Sequence, residues 1–250
     1  EREAMCDGVD MLLWTQTLDF ARRWDQDDAR DSLARIGKRM PRVGCHLDRW
    51  HGLDRAPHVY EEPFFQSTDF MFTADGDSDD LWRDAGVRHF WMAPGVYGPE
   101  CVPGTPRVDW ASDVAFIGSW ARYTHSEWWS QRRQMLAYAK ERWGNACQFW
   151  PREGKGAVRS ANLNSLLASI RVVLGDSALA STSARYWSDR VPETIGRGGF
   201  LVMQAIPGLV EQIPEGMGVA YYPPGDLDAM GELVDWWRAH DDERMKAVTR

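Results

Sequence analysis

The feature that most constrains the fold of this chain is its alternation of short apolar runs with helical segments, in two series separated by a Pro/Gly-rich stretch. In the first series, residues 9–14, 43–47, 69–73 and 87–92 read as strands. Residues 27–39 and 79–85 read as helices, stopped by Pro41 and Gly86. In the second, residues 114–117, 147–150, 171–174, 200–203 and 218–222 read as strands. The helices between them end near 143 or span 161–169, 209–212 and 226–240, and Thr124-His125-Ser126-Glu127 forms a capping box before the first. Strands that alternate with helices imply parallel sheets, so the expected class is α/β with two doubly wound Rossmann-like units. The stretch 94–109 contains Pro94, Pro99, Pro103 and Pro106 and reads as a linker. It divides the chain into residues 1–109, linker included, and 110–250.

Composition narrows the function classes. The 250 residues are 44% hydrophobic with a negative mean hydropathy, and no apolar run approaches the roughly 20 residues needed to span a bilayer. A cytoplasmic protein is expected. The sequence opens Glu1-Arg2-Glu3 rather than on Met and reads as a trimmed or partial chain. Cys6, Cys45, Cys101 and Cys147 form no CxxC pair, which favours reduced thiols over a zinc site or a disulfide framework. The tryptophan pairs Trp128–Trp129 and Trp236–Trp237 fall in helical patterns and read as packing rather than as a sugar platform. Residues 1–110 carry 13 Lys and Arg against 21 Asp and Glu, whereas residues 111–250 carry 16 of each. That balance argues against a general duplex-binding protein, which needs a basic face to displace counterions.

The segment from Ser188 to Val202 carries the most chemistry. Pro192 suits the first turn of a short helix that Ser188 or Asp189 can cap, and the free N–H groups at such a start favour an anion. Arg190 adds a permanent charge whose planar fork can hold two phosphate oxygens. Glu193, from the same turn, could accept hydrogen bonds from a ribose. Gly196, Gly198 and Gly199 permit a tight exit into the strand that follows. The same spacing also fits an i,i+3 surface ion pair followed by a glycine C-cap.

Three motifs, in order, resemble the donor-binding domain of GT-B glycosyltransferases, in particular the CgeB-like (spore-maturation) family. They are Asp113-Val114-Ala115-Phe116-Ile117-Gly118-Ser119, the Ser188-x-Arg190-x-x-Glu193 motif with Gly199-Phe200-Leu201 after it, and Gly218 through Leu227. The resemblance covers residues 113–250. It implies a nucleotide diphosphate sugar, expected to be a UDP-sugar, held in a cleft between two Rossmann-like domains. Arg190 would then neutralise the diphosphate, Glu193 would hold ribose hydroxyls, Gly118 and Ser119 would lie near the phosphates, and Ser188 and Gly199 would complete the donor site. Residues 1–109 resemble only the later part of an acceptor domain, whose first strands are expected to be absent from this chain. Leu201 occupies the place of the second Glu that many retaining enzymes carry, so retention of configuration has no support.

Sugar transfer needs stabilisation of the leaving group and, with inversion, a base for the acceptor hydroxyl. No metal or other cofactor is expected. Asp75-Gly76-Asp77 matches Asp-x-Asp by letter but precedes a helix and reads as its cap. The base candidates are Asp48 and His46, at a strand end where a doubly wound sheet places its ligands. A turn residue and a core histidine are the structural alternatives. His125 is a further candidate, and Asp176 could line the cleft or cap its loop. The acceptor is not legible: a glycan, a protein, a small molecule or a modified DNA base would each serve. A DNA-modifying glycosyltransferase and a non-catalytic nucleotide-sugar-binding module are the alternative readings, with an epimerase or phosphorylase on the same fold. A dehydrogenase is disfavoured, because no Gly-x-Gly-x-x-Gly follows a strand.

Overall fold

A computed structural model describes residues 8–16, 26–53, 56–60, 62–119, 130–152, 156–178 and 183–249. The capping box 124–127, His125, Trp128, Trp129 and Cys6 lie outside the described residues. The chain divides into two compact units, Glu1–Ala93 and Pro94–Arg250.

The first unit contains β1 (Leu12–Gln16), α1 (Gln26–Gly37), β2 (Arg42–His46), α2 (Pro63–Gln66), β3 (Phe70–Thr73), α3 (Asp79–Asp84) and β4 (His89–Trp91). Its four strands are parallel and lie in chain order, β1-β2-β3-β4. That order runs without a reversal, so it creates no switch point among the described residues. Period-two alternation divides its side chains between faces. Met71 packs with Trp50, Phe64, Phe65 and Trp82 in a dense aromatic core, whereas Leu13 and Phe90 remain 54% and 40% exposed.

The second unit contains β5 (Ser112–Ile117), α4 (Ser130–Trp143), β6 (Cys147–Trp150), α5 (Ser160–Ala168), β7 (Ile170–Leu174), α6 (Arg190–Gly196), β8 (Leu201–Gln204), α7 (Pro207–Gln212), β9 (Val219–Tyr222), α8 (Leu227–Ala239) and α9 (Asp241–Val248). All five strands are parallel, in the order β6-β5-β7-β8-β9. The chain leaves β5 toward β6 and returns on the other side of β5 as β7. Right-handed crossovers then place the two connections on opposite faces. Phe116, Leu174, Val202 and Ala220 bury one face under Met135 of α4 and Val234 of α8, while Ala115, Val173 and Leu201 are as fully buried on the other. Burial on both faces explains why these strands read as continuous apolar runs.

Residues 94–109 do not hang free between the units, as a linker would. Asn164 Nδ2 donates to the carbonyls of Glu100 (3.0 Å) and Val102 (2.8 Å), and buried Arg197 forms an ion pair with Glu100. A Cβ on Gly104 would overlap the backbone of Asn164, so only glycine permits this approach. The prolines here stiffen a strap that packs on the second unit.

Of the second tryptophan pair, Trp237 packs on Phe200 with ring centroids 4.4 Å apart, and Trp236 is 45% exposed and stacks on His240. Asp226 starts α8 by accepting the Ala229 N–H at 2.9 Å. Replacing an N-cap Asp by Ala costs about 1 kcal/mol. Asp226→Ala should therefore lower the urea midpoint of the second unit at constant slope, and an unchanged midpoint would remove the cap from the account.

Candidate functional site

The return of the chain past β5 opens a crevice at the carboxyl ends of β5 and β7, the place where open α/β sheets bind ligands. Four residues from different elements meet there. Gly118 directly follows β5, Asp176 lies two residues beyond β7, Arg132 is in the first turn of α4, and Arg190 opens α6. Arg132 holds the Asp176 carboxylate with Nε (2.6 Å) and Nη2 (3.1 Å), and its Nη1 donates to the Ser119 carbonyl at 2.9 Å. Arg190 holds the same carboxylate with Nη1 at 2.7 Å and donates from Nε to the Ile117 carbonyl at 2.6 Å. Both guanidinium groups lie over the Phe116 ring, Arg190 at 4.6 Å and Arg132 at 5.3 Å from its centroid.

The hydrogen-bonded cluster thus holds two positive charges and one negative, a net of +1, with the Asp189 carboxylate acting on Arg190 from its flank. Asp176 and Arg132 are almost fully buried, whereas the Arg190 side chain keeps 12% of its surface. Burial pulls the Arg190 pKa down and Asp176 opposes that pull, so the group stays a cation. Nε and Nη1 of Arg190 are committed to protein acceptors, which leaves Nη2 to face a ligand. The two-oxygen fork expected from the sequence is therefore reduced to one nitrogen. Gly118 has φ +155°, and a Cβ there would overlap Nη2, so the glycine lets the cation lie directly on the turn.

The remaining donor-site candidates separate. Ser188 Oγ accepts the Arg190 N–H at 3.2 Å, so Ser188, rather than Asp189, serves the start of α6. Pro192 falls at the third residue of that helix, within its first turn as the sequence suggests. Glu193 lies one turn beyond Arg190, half-exposed, with Arg197 4.0 Å away. Burial and the Asp189 charge push the Glu193 pKa up. Ser119 is exposed beside Gly118. Gly199 is not in the crevice: it precedes β8, at the amino ends of the strands, buried where a Cβ would press on Thr194 and Leu167. Close packing explains that glycine.

In the first unit, the two base candidates have different surroundings. His46 is fully buried, its ring against Trp50, Phe64 and Phe65 and its Nδ1 2.8 Å from the Asp48 carbonyl. It is a core histidine and has no surface on which to meet a hydroxyl. Asp48 is half-buried in the loop after β2, with Oδ1 accepting the Arg49 N–H at 2.8 Å. Asp75 is not the cap of α3. Its fully buried carboxylate accepts the N–H groups of His51 (2.6 Å) and Trp50 (3.2 Å), with Arg49 Nε 4.0 Å away, and so ties the loop 47–53 to the end of β3. Burial lifts its pKa to about 6 against those donors, and burial lowers that of His51 to about 4. Among the described residues no group of His, Cys, Asp and Glu could hold a metal ion, Cys45, Cys101 and Cys147 are free, and no helix is long and apolar enough to cross a membrane.

The family described as glycosyl transferase-like matches residues 122–250, just over half of the chain. The chain belongs to this glycosyl transferase-like family. No curated protein matches the sequence. Three solved structures resemble this glycosyl transferase-like chain over nearly its whole length. HepE of Anabaena, in complex with UDP, has a TM-score of 0.61 at 12% identity over 98% of this chain and 73% of its own. Sucrose-phosphate synthase of Thermosynechococcus elongatus also scores 0.61, at 10% identity over 99% and 69%. A UDP-forming α,α-trehalose-phosphate synthase of Burkholderia xenovorans scores 0.57, at 13% identity over 99% and 71%. At such identities the likeness shows the fold, which is GT-B with two Rossmann-like halves.

Within this transferase-like chain, sequence reasoning missed the pairing of Arg132 with Asp176 and the anchoring role of Asp75. Asp176 was visible as a carboxylate just past a buried strand, but its partner is 44 residues away on another element. Asp75 makes a testable pH signature. Its folded pKa lies above the unfolded carboxylate value near 3.9, so ionising it between about pH 4 and 6 costs the parent stability, by about 3 kcal/mol in all. The stability of Asp75→Asn relative to the parent should rise by that order over this interval, measured by urea unfolding. A difference independent of pH would contradict the buried ionisation.

Proposed function

We propose that this chain transfers a sugar from a UDP-sugar to a hydroxyl acceptor, with residues 110–250 binding the donor and residues 1–109 serving the acceptor. The observation that carries this reading is the Nη2 edge of Arg190, held over the Gly118 turn at the switch point of the second sheet. A diphosphate on that turn would receive a charge-assisted hydrogen bond from Nη2 and sit beside a cluster of net charge +1. Glu193, one helical turn on and half-exposed, is available to ribose hydroxyls. UDP in the HepE complex supports the choice of nucleotide. The narrower kinship with CgeB-like transferases rests on the three motifs at 113–119, 188–201 and 218–227.

In this reading fixed cations, and not a metal ion, stabilise the departing UDP. The Arg132–Asp176–Arg190 arrangement is already in place, so no reorganisation is needed as charge develops. Asp48, which keeps some surface, is the base candidate. Asp48→Asn should lower the transfer rate without changing UDP affinity, and full activity of that variant would exclude it.

Calorimetry with UDP and with uridine tests the donor site directly. Arg190→Ala should weaken UDP at least tenfold and uridine little, because a charge-assisted hydrogen bond contributes about 1.5–3 kcal/mol. Glu193→Ala should weaken both ligands, and EDTA should change neither. An Arg190→Ala variant that binds UDP as the parent does would refute the reading.

A further inference from the structure

Asp176 is an odd neighbour for a diphosphate. It carries a negative charge into a site meant for an anion, and it is 2% exposed, so the solvent does little to screen it. Removing it would make the cluster more positive. Its geometry shows what offsets that drawback. One carboxylate oxygen, Oδ1, accepts from both guanidinium groups, at 2.7 Å from Arg190 and 3.1 Å from Arg132, while Oδ2 accepts from Arg132 at 2.6 Å. Each nitrogen of Arg132 already donates to the protein, the third bond going to the Ser119 carbonyl, and the side chain is only 5% exposed. Arg132 therefore binds the turn 118–119 to Asp176, and Asp176 binds Arg190 to both.

We propose that Asp176, braced by Arg132, is the positioning residue of the donor site, fixing Nη2 of Arg190 over the Gly118 turn. The proposal rests on the nucleotide diphosphate reading above. Without the carboxylate, two guanidinium groups stacked on the same Phe116 ring repel each other. Arg190 would keep on Nη1 only the longer bond to the Asp176 backbone carbonyl, 3.3 Å, and would be held less firmly, so the hydrogen bond to phosphate would have to repay more of the entropy of ordering it. Positioning and bulk charge thus predict opposite signs. If net charge governed binding, Asp176→Asn would tighten UDP. If positioning governs it, the same change weakens UDP.

The decisive variant keeps the net charge constant. Arg132→Gln combined with Asp176→Asn removes one charge of each sign and leaves Arg190 as the cation. Calorimetry should show UDP affinity reduced about tenfold, with uridine affinity unchanged and the far-ultraviolet circular dichroism of the parent retained. UDP affinity equal to that of the parent would overturn the proposal and leave the donor reading standing. A parent without affinity for UDP would overturn both. Should the double variant fail to fold, the parent still gives an answer. Nitrogen-15 spectra of its arginine side chains should show the Arg190 Nη1–H protons protected from solvent exchange and rotation about Cζ–Nη1 hindered in the free protein, and rotation and exchange at the rate of an exposed arginine would overturn the proposal.

Discussion

One carboxylate shared by two guanidinium groups organises the second unit's crevice. Asp176, Arg132 and Arg190 come from a strand end and two different helices, and their hydrogen bonds also reach the carbonyls of Ile117 and Ser119. A buried ion pair alone is poor evidence for stability, because desolvation offsets the attraction. Its value here lies in geometry: four chain segments are fixed relative to one another at the point where a parallel sheet opens. The excess positive charge and the uncommitted Nη2 follow from the count of two cations to one anion.

That crevice depends on features remote from it. The strand order β6-β5-β7-β8-β9 creates the opening, and apolar burial on both faces of the sheet keeps its rim in place. Gly118 allows the guanidinium to lie against the turn. The strap 94–109, held through Glu100 and Asn164, closes on Arg197 one turn beyond Glu193. In the first unit, Asp75 anchors the loop 47–53 by accepting two backbone N–H groups, whereas Asp176 reaches the Gly118–Ser119 turn through Arg132.

Much of the fold was legible because local signals and tertiary structure agree. The strands at 114–117, 147–150 and 171–174 differ from the observed ones by at most two residues at either end, since buried parallel strands advertise themselves as apolar runs. The helix α9 escaped notice, because its first turn is three acidic residues and its apolar stripe is narrow. The four-residue α2 is too short to show a period. Motif spacing singled out Arg190, Glu193, Gly118 and Gly199; the structure brings Arg190 and Gly118 together and leaves Gly199 apart from them, because a packing glycine and a ligand-binding glycine look the same in sequence. His46 was misplaced for a related reason. A histidine at a strand end is equally compatible with surface and core, and only the positions of Trp50, Phe64 and Phe65 decide. Arg132 could not be read at all, since its partner is set by topology.

A crystal structure of the protein with UDP bound tests the central claim most directly. The account predicts the diphosphate on the Gly118 turn, within hydrogen-bonding distance of Arg190 Nη2, with both arginines still on Asp176 and the ribose at Glu193. UDP bound away from that turn, or Arg190 turned from Asp176 into solvent in the complex, would contradict it.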